Sequence, residues 1–203
     1  MICAALTGAV VHEAGHALLA YIFGDRTAQQ AGRLSLNPLK HIDLFTTILI
    51  PLLLIFIGFP PLILFKPIPV NFNQLNKPKL GMIAVSLAGP LSNILLAIIF
   101  IILIRVISII KVNPVIMIIN VFLFYGIIIN IFLAMFNLIP FPPLDGSWIL
   151  TAILPVKISE FFQKNRTTFM IVFLFLIFSG LFAKIISPLF NFIEKTVRIL
   201  TGL

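Results

Sequence analysis

Charge and cysteine are what this 203-residue chain has least of: 10% of its residues are charged, 6 are acidic, and Cys3 is its one cysteine. Soluble domains carry about 25% charged residues, so a water-facing globular surface is excluded. A single cysteine excludes an intrachain disulfide and a cysteine-rich zinc site, and Cys3 reads as a small apolar residue. Internal repeats and low-complexity linkers are missing as well, and the length leaves no space for a sizeable domain outside a membrane. What is abundant is apolar: 61% of the residues are hydrophobic and the mean hydropathy is +1.19. The natural partner is therefore a lipid bilayer. A net charge of +8 would suggest nucleic acid in a soluble chain. Here the basic residues flank apolar runs, where they set topology, and no nucleic-acid partner is expected.

The apolar runs predict an all-α, polytopic transmembrane helix bundle forming one domain over 1–203. A three-helix catalytic core is expected at about 1–23, 82–104 and 114–146, with a C-terminal span at about 169–189. The start lacks the charged region and cleavage site of a secretory signal, so the first helix is expected to be retained. The run 44–65 is interrupted by Pro51 and by Gly58-Phe59-Pro60-Pro61. It is read as re-entrant, with a full crossing as the alternative. Re-entry places nine of the 14 basic residues on the Gly24 side, whereas a crossing divides them eight to six. The positive-inside rule then makes the Gly24 side cytoplasmic. Short membrane-associated strands are expected at Arg33-Leu34-Ser35-Leu36, from its alternation, and in the connector 66–71, which Pro67 and Pro69 keep extended. Either could pair with an extended substrate.

Within the first apolar run stands His12-Glu13-Ala14-Gly15-His16. A charged side chain at the centre of a membrane helix costs roughly 2.5–3.5 kcal/mol on insertion scales, so ionisable groups there default to a functional reading. Four residues apart, His12 and His16 share one helical face and can reach one zinc ion. Glu13 lies beside them, suited to act on a water as general base. A further cluster, Asn137-Leu138-Ile139-Pro140-Phe141-Pro142-Pro143-Leu144-Asp145-Gly146, must break its helix at the prolines. Irregular backbone at membrane depth has to be buried in protein or line a wet cavity, so the break predicts a polar interior site. Catalytic zinc takes three protein ligands and keeps one position open; His12, His16 and Asp145 would complete that set around one Zn2+ per chain. The remaining acids, Asp25, Asp43, Glu160 and Glu194, read as boundary or solvated charges. Arg105 and Lys111 read as interfacial anchors. A non-enzymatic membrane protein that binds or moves metal, or an inactive protease-like adaptor, is the rival reading. Glu13 between two ligands, and spans otherwise almost bare of polar residues, favour hydrolysis.

These residues resemble the site-2 protease family of intramembrane zinc metalloproteases, in its compact bacterial and archaeal form. The first cluster matches that family's zinc-binding helix. Residues 137–146 look like its Asn-Pro-Asp-Gly region, with Phe-Pro-Pro-Leu inserted before Asp145. Ala88-Gly89-Pro90-Leu91-Ser92-Asn93 is similar to its middle core helix. Gly32-Arg33-Leu34-Ser35-Leu36-Asn37-Pro38, followed by His41-Ile42-Asp43, resembles a loop of the compact members. The matches occur in the family's order and cover about residues 5–150. They imply a multi-pass enzyme of a bacterial or archaeal cell membrane, with transmembrane proteins as substrates and regulatory partners that the chain does not reveal. They also imply zinc on His12, His16 and Asp145, Glu13 as the base, and an oxyanion or substrate contact by Asn137. Further expectations are an approach of the loop residue His41 to the site, and for Asn93 an interhelical hydrogen bond rather than a direct catalytic part.

Overall fold

The computed structural model describes residues 1–43, 67–109 and 113–202, with positions 47, 49, 52, 53 and 56. Most of the segment expected to re-enter, 44–65, lies outside the described residues, as does Lys111. Among the described residues every regular element is a helix. Three are long and apolar enough to cross a membrane: α1 (Ile2–Ile22), and two longer helices, Pro78–Ile107 and Pro114–Asn137. Their most apolar windows are only 33–39% buried. The rest of their surface, such as Leu95, Ile98 and Ile102 on one helix and Met117 and Ile118 on the other, stays exposed, as lipid contact requires and water would penalise.

After α1 come a single turn, α2 (Thr27–Gln30), and then α3 (Pro78–Ile107) and α4 (Pro114–Asn137). Proline opens both long helices, where its missing N–H has no partner to lose. The two pack on each other and on α1. Small residues make the α1–α3 seam close: a Cβ on Gly15 would lie 2.8 Å from the Ala88 carbonyl oxygen. Close backbone approach of this kind is how membrane helices gain packing without a hydrophobic driving force between them. Beyond the proline-rich break follow α5 (Gly146–Ile153), α6 (Val156–Lys164), α7 (Arg166–Phe178) and α8 (Leu181–Thr201). Phe136 of α4, Phe173 of α7 and Phe182 of α8 meet with ring centroids 5.5–6.0 Å apart, which anchors the C-terminal helices on the core.

Two expectations change. No strand forms among the described residues: residues 34–35 are a bend, and 67–71 is extended but unpaired. The four-residue alternation at Arg33 has no neighbouring strand to complete its ladder. Nor is 169–189 one span. It is broken at Gly180, whose φ of 73° lies in the left-handed region, a conformation glycine adopts without steric cost. α6 and α7 are bent by 60° and together are long enough for a fourth crossing.

The end of α1 and the start of α3 sit together. Asn76 N–H donates to Phe23 O at 2.8 Å, and Asn71 N–H donates to Asp25 Oδ2 at 2.7 Å. The chain leaves α1 and enters α3 at one end of the bundle, so α1 and α3 run antiparallel. α4 then returns to that end, bringing residues 138–146 beside the C-terminal half of α1. Asp25 is a boundary residue but not a solvated one: it is fully buried and also accepts from Thr27 N–H and Oγ1–H.

Candidate metal centre

Helical spacing places His12 and His16 on the face of α1 that meets α3, and the break after α4 turns Asp145 onto them. His12 Nε2 lies 3.0 Å and His16 Nε2 3.3 Å from Asp145 Oδ2, and the two Nε2 atoms are 3.0 Å apart. The space for both rings exists because residue 89 is glycine: a Cβ there would stand 2.6 Å from His12 Nε2.

Each imidazole is oriented from its other nitrogen. His12 Nδ1 lies 2.8 Å from Asn93 Oδ1, and His16 Nδ1 lies 2.7 Å from the Val85 carbonyl oxygen. Asn93 is held as an acceptor toward His12 because its amide NH2 donates elsewhere, to Asn130 Oδ1 at 2.9 Å and Gly8 O at 3.4 Å. Asn130 Nδ2–H in turn donates to Gly126 O at 2.8 Å. This buried relay joins α1, α3 and α4. Since Nδ1 carries the proton in each neutral ring, both Nε2 lone pairs face Asp145 Oδ2, itself buried without a hydrogen-bond donor of good geometry.

Three acceptor atoms thus converge with no proton assigned among them, an arrangement a cation relieves. Zinc bonds of about 2.0–2.1 Å put tetrahedral donors roughly 3.3–3.4 Å apart, close to the 3.0–3.3 Å seen here. The donor set fits zinc, with the imidazoles fixed from behind as metal-binding histidines require. Among the described residues, His12, His16 and Asp145 are the group of this kind.

Glu13 faces the same space. Its Oε2 accepts a hydrogen bond from Ile68 N–H at 2.8 Å, so the connector 67–71 passes over the centre. Arg33 Nη1–H, donating to Pro67 O at 3.0 Å, fixes that passage. Two clefts share Glu13, Pro67, Pro143 and Asp145 in their walls. One, of about 540 Å³, is lined by Phe132, Phe136, Phe173 and Phe182. The other, of about 250 Å³, carries Trp148 and Arg166.

Asn137 lines the phenylalanine cleft with His12, Glu13 and Asp145, and its amide donates to Leu133 O at 2.9 Å. His41 stays within its own loop, fully buried, with Nε2 2.7 Å from Ser35 O. Asn130 and Arg166 are site residues that sequence reasoning does not single out. Asn130 carries a signal, an amide in the middle of an apolar span. Arg166 carries none, being one more cation that flanks an apolar run.

Comparison with known proteins gives three findings. The family model for peptidase family M50 matches residues 103–179, a stretch that includes Asp145 but not the histidine pair. YwhC of Bacillus subtilis (strain 168), named as a zinc metalloprotease, is 38% identical over 184 residues, covering 89% of this chain and 81% of its own length. Rip2 of Mycolicibacterium smegmatis, also named as a zinc metalloprotease, is 30% identical over 202 residues, covering 87% of this chain and 73% of its own length. No solved structure matches.

Proposed function

This chain belongs to peptidase family M50, the site-2 protease family, and from that premise we propose that it is an intramembrane endopeptidase using one zinc ion per chain. As a member it is an integral membrane enzyme and a zinc metalloprotease, acting on membrane proteins within the bilayer. The finer reading is cleavage in or near transmembrane segments of its substrates by an activated water. The observation that supports it most directly is the set of three convergent acceptor atoms, 3.0–3.3 Å apart inside an apolar span, with a carboxylate beside them.

In this reading His12, His16 and Asp145 hold the metal. When bound, zinc supplies Lewis acidity, making water a better acid and stabilising negative charge on a carbonyl oxygen. Glu13 does the proton work. Ile68 N–H fixes Oε2, and the carboxylate takes the proton of the attacking water and delivers it to the leaving amine. In this reading a second amide N–H of Asn137, besides the one donated to Leu133 O, serves the developing oxyanion. The substrate backbone must first leave its helix, whose own hydrogen bonds shield the amide. In this reading the site faces the cytoplasmic side of a cell membrane, an orientation that the positive-inside count supports.

Zinc content and cleavage of a membrane-embedded model substrate test the assignment together. Glu13→Gln should retain one equivalent of zinc while cleavage falls about 10²–10⁴-fold, the usual worth of a general acid–base. His12→Ala and Asp145→Ala should lose the zinc itself, and a chelator should stop the unsubstituted enzyme until zinc is restored. Normal cleavage by zinc-loaded Glu13→Gln would overturn the assigned base.

A further inference from the structure

Arg166 is the first residue of α7, a position where the helix dipole disfavours a cation. Tertiary contacts hold it there. Its guanidinium stacks on Trp148, 3.9 Å from the ring centroid, and Nη2–H points to Pro143 O at 3.4 Å. These contacts aim it into the smaller cleft, whose other charged groups are Glu13, His16 and Asp145. Among the described residues Arg166 has no carboxylate within ion-pair distance. Asp145 acts on the guanidinium only from beyond that distance, and a divalent cation on His12, His16 and Asp145 would compete for the same carboxylate, leaving the guanidinium without an anion in contact. A partly buried arginine in this state is incomplete: its planar fork is built to hold a carboxylate through two parallel hydrogen bonds.

The clefts on either side of the metal centre differ in a way that orders a substrate. Both include Glu13, Pro67, Pro143 and Asp145 in their walls, but Phe132, Phe136, Phe173 and Phe182 line only one and Arg166 only the other. We propose that Arg166 is a specificity-determining residue that binds a carboxylate of the substrate, so that the enzyme prefers a scissile bond lying between an apolar stretch and a nearby anionic group. This rests on the endopeptidase reading above and names its substrate class. The carboxylate is an acidic side chain or the free C-terminus of an already shortened chain.

Trp148 is the only tryptophan and lies beneath the guanidinium, so its fluorescence reports occupancy without turnover. The experiment uses the full-length, zinc-loaded Glu13→Gln protein in detergent. The probes are synthetic peptides with an apolar segment followed by Glu, Gln or Lys at scanned positions, each with an amidated end, and a neutral peptide with a free terminal carboxylate. The Glu peptide should bind at least tenfold more tightly than the Gln and Lys peptides. Arg166→Gln should abolish this preference, Arg166→Glu should transfer it to the Lys peptide, and Arg166→Lys should keep part of it. Tight binding of the free-carboxylate peptide identifies a chain terminus as the source, and binding of the Glu peptide alone identifies a side chain. Equal affinity for the Glu, Gln and Lys peptides, together with no tighter binding of the free-carboxylate peptide, with Arg166 intact, would overturn the proposal without any appeal to the variants. Survival of the Glu preference in Arg166→Gln would overturn it as well. Cleavage of the Glu peptide by the protein with Glu13 intact is scored separately and tests the endopeptidase reading alone.

Discussion

Asn93 has no lone pair aimed at a metal, yet it governs how His12 presents one. Its amide spends both donors on Asn130 and Gly8, which leaves its oxygen for His12 Nδ1. Asn93→Ala is therefore expected to weaken zinc binding about 10–100-fold, the usual effect of removing such a partner, measurable by competition with a chelator of known affinity. Gly89→Ala acts from the opposite side, pushing a methyl group onto both imidazoles. It should lose zinc while circular dichroism shows the helices intact. At this scale the sequence is informative wherever an ionisable group stands in apolar surroundings, as at His12, Glu13, His16 and Asp145. It is silent where chemistry depends on a partner far along the chain. Asn130 pairs with a residue 37 positions away, and the role of Arg166 comes from Trp148 and Pro143. Asp25 departs from a solvated reading for the same reason, since one of its donors, Asn71 N–H, is 46 residues distant.

Helix boundaries are legible where local chemistry decides them: proline at the start of α3 and α4, and the proline run after Asn137. They are less legible where one glycine decides, as at Gly180, because a helix interior tolerates glycine at a cost of only about 1 kcal/mol. Strands fail as a reading because a strand exists only with a neighbour, and the alternation at residues 33–36 finds none. The extended connector 67–71 is instead held through individual hydrogen bonds, one of them on Glu13. Ile68→Pro deletes that N–H while preserving extended backbone. Zinc content should be unchanged and kcat should fall about 10–100-fold, the worth of one hydrogen bond to a charged group. Helix contacts matter in another way. Gly15→Leu would separate α1 from α3 at the Ala88 carbonyl, and a thermal melt in detergent should show a lower Tm before any effect on the C-terminal helices.

For the molecule as a whole, hydropathy and basic-residue placement are enough to predict a helical membrane bundle, and packing supplies the order of its ends. α1 and α3 share an end through Phe23–Asn76, and Arg33 reaches Pro67 at that same end. Single cysteines introduced at positions 33 and 77, in a Cys3→Ala background, should therefore react with an impermeant thiol reagent from the same side of oriented vesicles. Labelling from opposite sides would break the proposed topology and with it the shared depth of His16 and Asp145.

The hydrogen bond between Asn76 and Phe23 also imposes a rule of parity. Chain that departs from one end of a bundle and is fastened back at that end must traverse the bilayer an even number of times, zero included. Added or lost hairpins between residues 43 and 67 would preserve the orientation of every helix downstream, whereas a single unpaired crossing would invert α3 and α4 and carry Asp145 to the opposite leaflet from His16. The metal centre thus depends on Phe23 and Asn76 staying together at one end of the bundle.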